Sequence, residues 1–378
     1  MPFEHYRSQG GKRLRCGYTT GTCAALAAKA AARALLTGLP ILSETVRTPK
    51  GLDVTADILD LHQSVGLASC AVRKDGGDDI DATDGALIYA TVSKATAGIV
   101  IDGGEGVGRV TSPGLDQPVG AAAINSTPRR MIASALSEVA AESGYEGGFS
   151  VTVSVPGGAE LAKKTFNPQL GIEGGISILG TSGIVEPQSL QALLDSIAVE
   201  LRVHAARGVK DLIMTPGNYG RDFLRAYPDL AAMPQIKCAN FLGDTLDLAA
   251  ENGMKTVLLV GHIGKLVKLA GGIMNTHSRV ADCRTELFAA YAALRGAGPA
   301  HVRRLLDAVT SDACITILDE LGLRQTVLED LTAAAQAHLE RRAAGALRVG
   351  LVTFSNPYGL LTVSHTAEQI LNDWGKSV

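Results

Sequence analysis

Between residues 176 and 264 the sequence three times runs a short stretch of branched apolar residues into a turn that contains glycine. The stretches are 176–179, 211–215 and 256–260. Their turns carry Gly180 and Gly183, Gly217 and Gly220, and Gly261 and Gly264. Strands this uniformly apolar are buried on both faces, as in a parallel sheet covered by helices. Helical stretches follow at about 187–207, just past 220, at 244–252 and, several times, between 279 and 344. This alternation predicts βαβ units wound into a mostly parallel, Rossmann-like sheet, closed by a strand at 349–354 and a helix at 366–374. The turns then share the carboxyl edge of the sheet, where such folds bind ligands.

The segment 255–286 carries the most chemistry. Its strand runs into Gly261-His262-Ile263-Gly264, a loop with two residues free to take positive φ. A helical stretch follows at 265–269, and Asn275-Thr276-His277-Ser278 breaks it. A further helix is expected from 279, with Ser278 as its N-cap. His262, Lys265, His277, Ser278 and Arg279 are thereby gathered at one edge. Two nucleotide motifs are excluded. A P-loop needs Ser or Thr after its lysine, whereas Leu266 follows Lys265, and no G-x-G-x-x-G stands here.

The first 165 residues read differently. Residues 1–15 are polar and basic, a loose arm. Thr19, Thr20 and Thr22 then precede an alanine-rich helix at 24–36 that Gly38 and Pro40 stop. A helix start leaves N–H groups unpaired, so these hydroxyls suit either an anion site or simple capping. Strands are expected at 44–48, 52–59, 69–73, 86–94 and 98–101, with hairpin turns between them. Five aspartates (Asp75, Asp78, Asp79, Asp81 and Asp84) crowd one loop without calcium-loop spacing. They read as a solvated acidic loop or as acceptors for a ligand's ammonium, hydroxyl or ring N–H groups. A glycine-rich loop at 103–108, a helix at 128–143 that begins with Arg129-Arg130, and a strand at 149–155 complete an α+β domain. The domains predicted are therefore 1–165, α+β, and 166–378, α/β.

Composition narrows the partners. Aromatic residues make up 4% of the 378 residues and the net charge is −3, which argues against a nucleic-acid platform. No apolar run spans a bilayer, and the six scattered cysteines form no Cys-x-x-Cys pair. A reducing, cytoplasmic setting is expected, with no protein-bound metal.

Seven stretches together resemble one family. They are LRCGYTTGTCA at 14–24, KDGGDDIDATDG at 74–85, GGEGVGRVTSPGL at 103–115, AIN before PRRMI at 123–132, NPQLGIEGGISILGTSGIVEP at 167–187, GNYG at 217–220 and GHIGKLVKLAGGIMNTHSR at 261–279. Their order and length resemble the CbiD family of cobalt-precorrin-5B C1-methyltransferases. Cys16, Gly76, Ile80 and Ser112 stand where that family usually has threonine, alanine, proline and a basic residue.

The resemblance implies a ribosomal-protein-S5-domain-2-like first domain and methylation of C1 of a cobalt-bearing tetrapyrrole in anaerobic cobalamin biosynthesis. The donor is S-adenosyl-L-methionine, and the cobalt belongs to the substrate. A non-catalytic corrinoid carrier and a nicotinamide-dependent reductase are the rival readings. The resemblance leaves room for a homo-oligomer and for contacts with neighbouring pathway enzymes. On this reading the substrate carboxylates meet Thr19, Thr20, Thr22, Arg129, Lys265 and Arg279. The donor lies over Gly180, Thr181, Gly183, Gly217, Asn218, Gly261 and His262, with Asp244 accepting from its ribose or amino group. His277, Asp75 and Asp79 are the catalytic candidates: His277 for tuning a proton or for an axial contact to the substrate's cobalt, and the acidic loop, Asp75 and Asp79 with Asp78, for holding pyrrole-type N–H groups or the donor's ammonium.

Overall fold

The computed structural model describes residues 3–9, 11–187 and 189–378. The chain divides into two compact units, Met1–Leu190 and Gln191–Val378. The division falls at 190 rather than at 165 because the intervening segment pairs within the first unit. Ile172–Glu173 pairs with Arg109–Val110, and Ile184–Val185 with Gly17–Tyr18. Among the described residues no helix is long and apolar enough to cross a membrane.

The first unit is built round α1, Thr20–Thr37, which is buried at every position from Thr20 to Ala32. Alanine favours the helix and keeps its surface small, so neighbouring elements approach closely on all sides. Gly38 ends it in the left-handed region at φ 72°. The buried Lys29 ammonium donates to Glu138 at 2.9 Å and to the Thr45 carbonyl at 2.8 Å. The sheet comprises β1 (Leu59–Ser64), β2 (Leu67–Arg73), β3 (Leu87–Ala95), β4 (Ile99–Gly103) and β5 (Gly148–Ser154), in the order β1-β2-β3-β5-β4. Only the β5–β4 pair is parallel, and α2, Ser126–Ser143, carries the chain between its two strands. α1 packs on β2, β3 and α2.

Local pattern misled the sequence reading in three places here. Tyr6–Gln9 pairs antiparallel with Lys12–Arg15, where a loose arm was expected. The run 52–59 splits, because Asp53–Asp57 pairs with Ser43–Arg47 while β1 pairs with β2. Residues 176–179 form no strand of the parallel sheet. They make only single bridges, Ile176 to Val107 and Ile178 to Ile124, inside the first unit.

The second unit holds β6 (Asp211–Thr215), β7 (Gln235–Lys237), β8 (Thr256–His262), β9 (Arg348–Ser355) and β10 (Gly359–Val363), in the order β7-β6-β8-β9-β10. The first four are mutually parallel, and β10 runs antiparallel to β9. Alternate residues enter opposite cores: Leu212, Met214, Val257 and Leu259 face one, Ile213, Leu258 and Val260 the other. That is why these strands look uniformly apolar in sequence. α3 (Asn218–Leu224) follows β6, and α4 (Ser311–Glu320) lies among the helices between β8 and β9.

Candidate functional site

In the first unit the start of α1 is sealed by the chain itself. Thr22 donates from its hydroxyl to the Gly183 carbonyl at 2.7 Å, and the Thr20 hydroxyl accepts the Leu179 N–H at 2.9 Å. Thr19 accepts the Thr22 N–H at 3.3 Å, and the Gly21 N–H reaches the Leu179 carbonyl at 3.0 Å. The three threonines are 6%, 3% and 0% exposed. The expected anion site is therefore corrected to a closed cap, because carbonyls of 179–183 satisfy the donors that an anion would need. Gly180 and Gly183 serve this seal. A β-carbon on Gly180 would stand 2.2 Å from Thr19 Oγ1, and one on Gly183 would stand 2.8 Å from Thr48 Cβ. With the exposed Thr181 they belong to the first unit, so two glycine turns, not three, share the parallel sheet's edge.

The acidic loop is also largely self-contained. Asp75 takes both arms of the Arg15 guanidinium, at 2.5 and 2.7 Å, and the Gly77 N–H at 2.9 Å. Burial works against this carboxylate, but Arg15 and Gly77 outweigh it and hold its pKa below the ordinary value. Asp78 accepts the Arg15 N–H at 2.6 Å, Asp84 the Gly76 N–H at 2.7 Å, and Asp81 the buried Lys74 ammonium at 2.5 Å. Asp79 sits in the same turn, its N–H directed to the Gly76 carbonyl at 3.3 Å. Asp75 is thus an anchor with both oxygens engaged, which corrects its proposed catalytic role. An open groove of about 490 Å³ runs beside the loop, lined by Tyr18, Asp57, Arg73, Lys74 and Asp84 among others. Arg129 is likewise engaged inward, donating to the Ile101 and Ile124 carbonyls at 2.7 and 2.8 Å.

In the second unit, strand order reverses between β6 and β8: the chain leaves β6 for β7 on one side and β8 for β9 on the other. This is the switch point where the two strand ends leave a crevice. Gly217 opens it. Its φ of 137° and ψ of −167° lie in a region essentially confined to glycine. A β-carbon there would meet only Lys265 Nζ, at 4.0 Å. The Lys265 ammonium donates to the Pro216 carbonyl at 2.7 Å and bridges the two strand ends. Burial lowers its pKa, although Cys238 opposes the shift. Asn218 Oδ1 takes the Lys237 ammonium at 3.1 Å. Thr215, fully buried at the end of β6, has a hydroxyl with no partner among the described residues.

His262 ends β8. Its Nδ1 accepts the Gly264 N–H at 3.1 Å, which leaves the proton of the neutral ring on Nε2. Burial depresses its pKa, and Asp312 pulls the other way. Gly261 lies within the strand and not in a loop. A β-carbon there would sit 2.8 Å from Pro216 Cγ, so this glycine serves close packing of the crevice wall. Asp244 is exposed in the first turn of the Leu242–Glu251 helix that follows β7.

His277 lies in a loop beside the same end of β7: Asn275 bridges Phe241, and the Thr276 N–H reaches the Asn240 carbonyl at 3.0 Å. The expected helix from 279 begins instead at Arg284. Lys268, 3% exposed, explains the delay. Its ammonium holds the Thr276 and Ala281 carbonyls at 3.2 and 2.9 Å, so Ser278 caps no helix. His277 Nδ1 accepts the Arg279 N–H at 3.0 Å, and Arg279 is exposed. The edge thus collects Gly217, Asn218, His262 and Lys265 at β6 and β8, and Asp244 and His277 at β7. Sequence reasoning passed over Lys268, Tyr219, Asp312 and Ser355. An aromatic inside the GNYG turn was the one visible signal.

Fold and edge together define a two-unit α/β protein with a crevice at the switch point of a mostly parallel sheet. The chain belongs to the CbiD family: residues 7–187 match the CbiD model and residues 275–365 the model of the CbiD C-terminal domain. It is 48% identical to the cobalt-precorrin-5B C(1)-methyltransferase of Ruminiclostridium cellulolyticum, over 93% of this chain and 92% of that one. To the enzyme of the same name from Alkaliphilus metalliredigens it is 43% identical over 97% of each. A crystal structure of the cobalamin biosynthesis protein CbiD from Archaeoglobus fulgidus is 30% identical, covering 73% of this chain and 86% of that one, with a TM-score of 0.40.

Proposed function

We propose that this protein transfers a methyl group from S-adenosyl-L-methionine to C1 of cobalt-precorrin-5B, giving cobalt-precorrin-6A. The observation that carries the activity is the 48% identity to a methyltransferase of that name, sustained over 93% of the chain. The second unit supports a donor site at the switch point. Gly217 holds a backbone conformation that favours glycine and leaves space in front of it, and Thr215 keeps a buried hydroxyl with no partner among the described residues. Gly217, Asn218 and His262 would hold the donor, with Asp244 accepting from its amino group.

Bound there, the sulfonium supplies an activated methyl. The chain's own work is then placement, which in well-oriented reactions is worth ~7–11 kcal/mol. Lys265 fixes the two walls of the crevice relative to each other through Pro216. His262 keeps its proton on Nε2 and donates from it, adding no positive charge beside a sulfonium. Lys265 and Arg279 offer cations to the tetrapyrrole's carboxylates, and Lys268 fixes the loop that presents Arg279 and His277. The six free thiols support a reducing, cytoplasmic setting. We also infer a first unit related to the second domain of ribosomal protein S5, supported by two helices packed together over a mixed five-stranded sheet. The activity is tested by incubating purified protein with labelled donor and cobalt-precorrin-5B. Gain of one labelled methyl on the tetrapyrrole is expected. A tetrapyrrole bound but never methylated would favour a carrier instead.

A further inference from the structure

One row of rings leads from the protein core to the surface of the crevice. Phe223 stacks on Phe354 at 4.3 Å and 8°, and His262 stands edge-on to Phe354 at 5.7 Å. Tyr219 packs on His262 at 6.2 Å, and it is 64% exposed. A single exposed aromatic is ordinary at a surface; what marks this one is its place beside His262 at the edge of the crevice. The ring packs on one neighbour, His262, which in turn stands on Phe354, and its exposed side lies at the first turn after Gly217. Such a ring stacks planar heterocycles.

On the other side of His262 lies a polar corner at the ends of β8 and β9. Ser355, the last residue of β9 and 1% exposed, donates to Asp312 Oδ1 at 2.6 Å. Asp312 is half-buried in the first turn of α4 and close enough to His262 to act on its ionisation. Ser311, 3% exposed, has a hydroxyl with no partner among the described residues. That hydroxyl is aimed at the β8 turn, 3.7 Å from where a side chain on Gly264 would begin. A buried hydroxyl left unpaired is costly, so a partner from outside the chain fits it. A carboxylate with two hydroxyls beside it suits a vicinal diol.

We propose that the nucleoside half of the donor lies along His262, its base stacked on Tyr219 and its ribose hydroxyls bound by Asp312 and Ser311. This deepens the methyltransferase reading and rests on it. It leaves Asp244 to the donor's amino group.

The test is calorimetric titration of the full chain with S-adenosylhomocysteine, adenosine and 2′-deoxyadenosine. Tyr219→Ala should weaken adenosine and S-adenosylhomocysteine roughly ten- to hundredfold, while Tyr219→Phe stays within about twofold. Wild type should prefer adenosine to 2′-deoxyadenosine. Asp312→Asn, which can still accept from Ser355, should erase that preference and weaken adenosine by about tenfold. Melting curves establish that each variant is folded. Wild-type affinity in both Tyr219→Ala and Asp312→Asn overturns the proposal, as does a wild type that binds no nucleoside. These outcomes separate from the activity. A chain that methylates the tetrapyrrole yet ignores both substitutions refutes only the subsite, and one that binds adenosine through them but transfers no methyl refutes only the reaction.

Discussion

Lys265 reaches from the turn after β8 to the Pro216 carbonyl after β6, 2.7 Å away, and so ties the two walls of the crevice together. It is both a spacer and a half-buried cation. Lys265→Met should remove the tie and the charge at once. The expected result is a rise of about tenfold or more in KM for the tetrapyrrole with a stability loss of about 1–2 kcal/mol, the range of one charged hydrogen bond at a partly open site. Steady-state kinetics with denaturant melts would measure both. An unchanged KM would remove Lys265 from substrate binding.

Asp75 and Arg15 give a prediction in pH. The folded-state pKa of Asp75 is depressed, so its contribution is present above the ordinary carboxylate value of 3.8. It is lost as pH falls below 3.8 through the depressed value. Wild-type stability should therefore drop steeply in that acid window, and Asp75→Asn should flatten the drop while lowering stability at neutral pH by about 1–3 kcal/mol. Adenosine affinity should not change. A loss of nucleoside binding in Asp75→Asn would reinstate the acidic loop as a ligand site.

His262 titrates in the opposite chemical sense with the same direction in pH. Its folded pKa lies below 6.5, so the neutral ring is the stabilising form. That stabilisation is whole above pH 6.5 and is lost as pH falls through the lower folded value. Protonation also turns Nδ1 into a donor and breaks its bond with the Gly264 N–H. Thermal melts from pH 7.5 to 5 should show a decline that His262→Asn lacks. Parallel curves for the two proteins would disprove it.

Two glycines should respond differently to alanine. Gly180→Ala puts a β-carbon 2.2 Å from Thr19 Oγ1 at φ 134°, so it should unseat the seal over α1 and cost more than about 3 kcal/mol. Gly217→Ala meets nothing nearer than 4.0 Å and carries backbone strain alone, about 1–3 kcal/mol. Its larger effect should be on adenosine affinity. Chemical denaturation of both variants distinguishes clash from strain.

Lys268 predicts a protease result. With Lys268→Met the carbonyls of Thr276 and Ala281 lose their shared donor, and the exposed Arg279 between them should be cut by trypsin several-fold faster. Equal cleavage rates would mean the loop is held by other contacts.

Much of this architecture could be read from local pattern. The strand 211–215 has the bounds expected, and α2 begins two residues before Pro128. What failed were matters of partner choice. Residues 176–179 are apolar and extended, but nothing local says that Val107 and Ile124, not a parallel strand, receive them. The helix expected from 279 has the composition for it, yet the remote Lys268 ammonium takes its first carbonyls. The threonines of α1 were recognised as a helix start, while the carbonyls that seal it lie some 160 residues further along the chain. The crevice glycines 217 and 264 were legible because their turns follow strands directly. Asp312 and Ser355 were not, because the two residues of that pair stand 43 positions apart.

That separation at α1 has a consequence for synthesis. Thr22 is bonded to Gly183, 161 residues later. At roughly 5–20 residues per second, the helix that centres the first unit leaves the ribosome about 8–30 seconds before its cap exists. For that interval an alanine-rich helix has its first turn open and its surface uncovered. The first unit therefore completes only when almost all of it has been made, and a chain interrupted before residue 183 cannot close it.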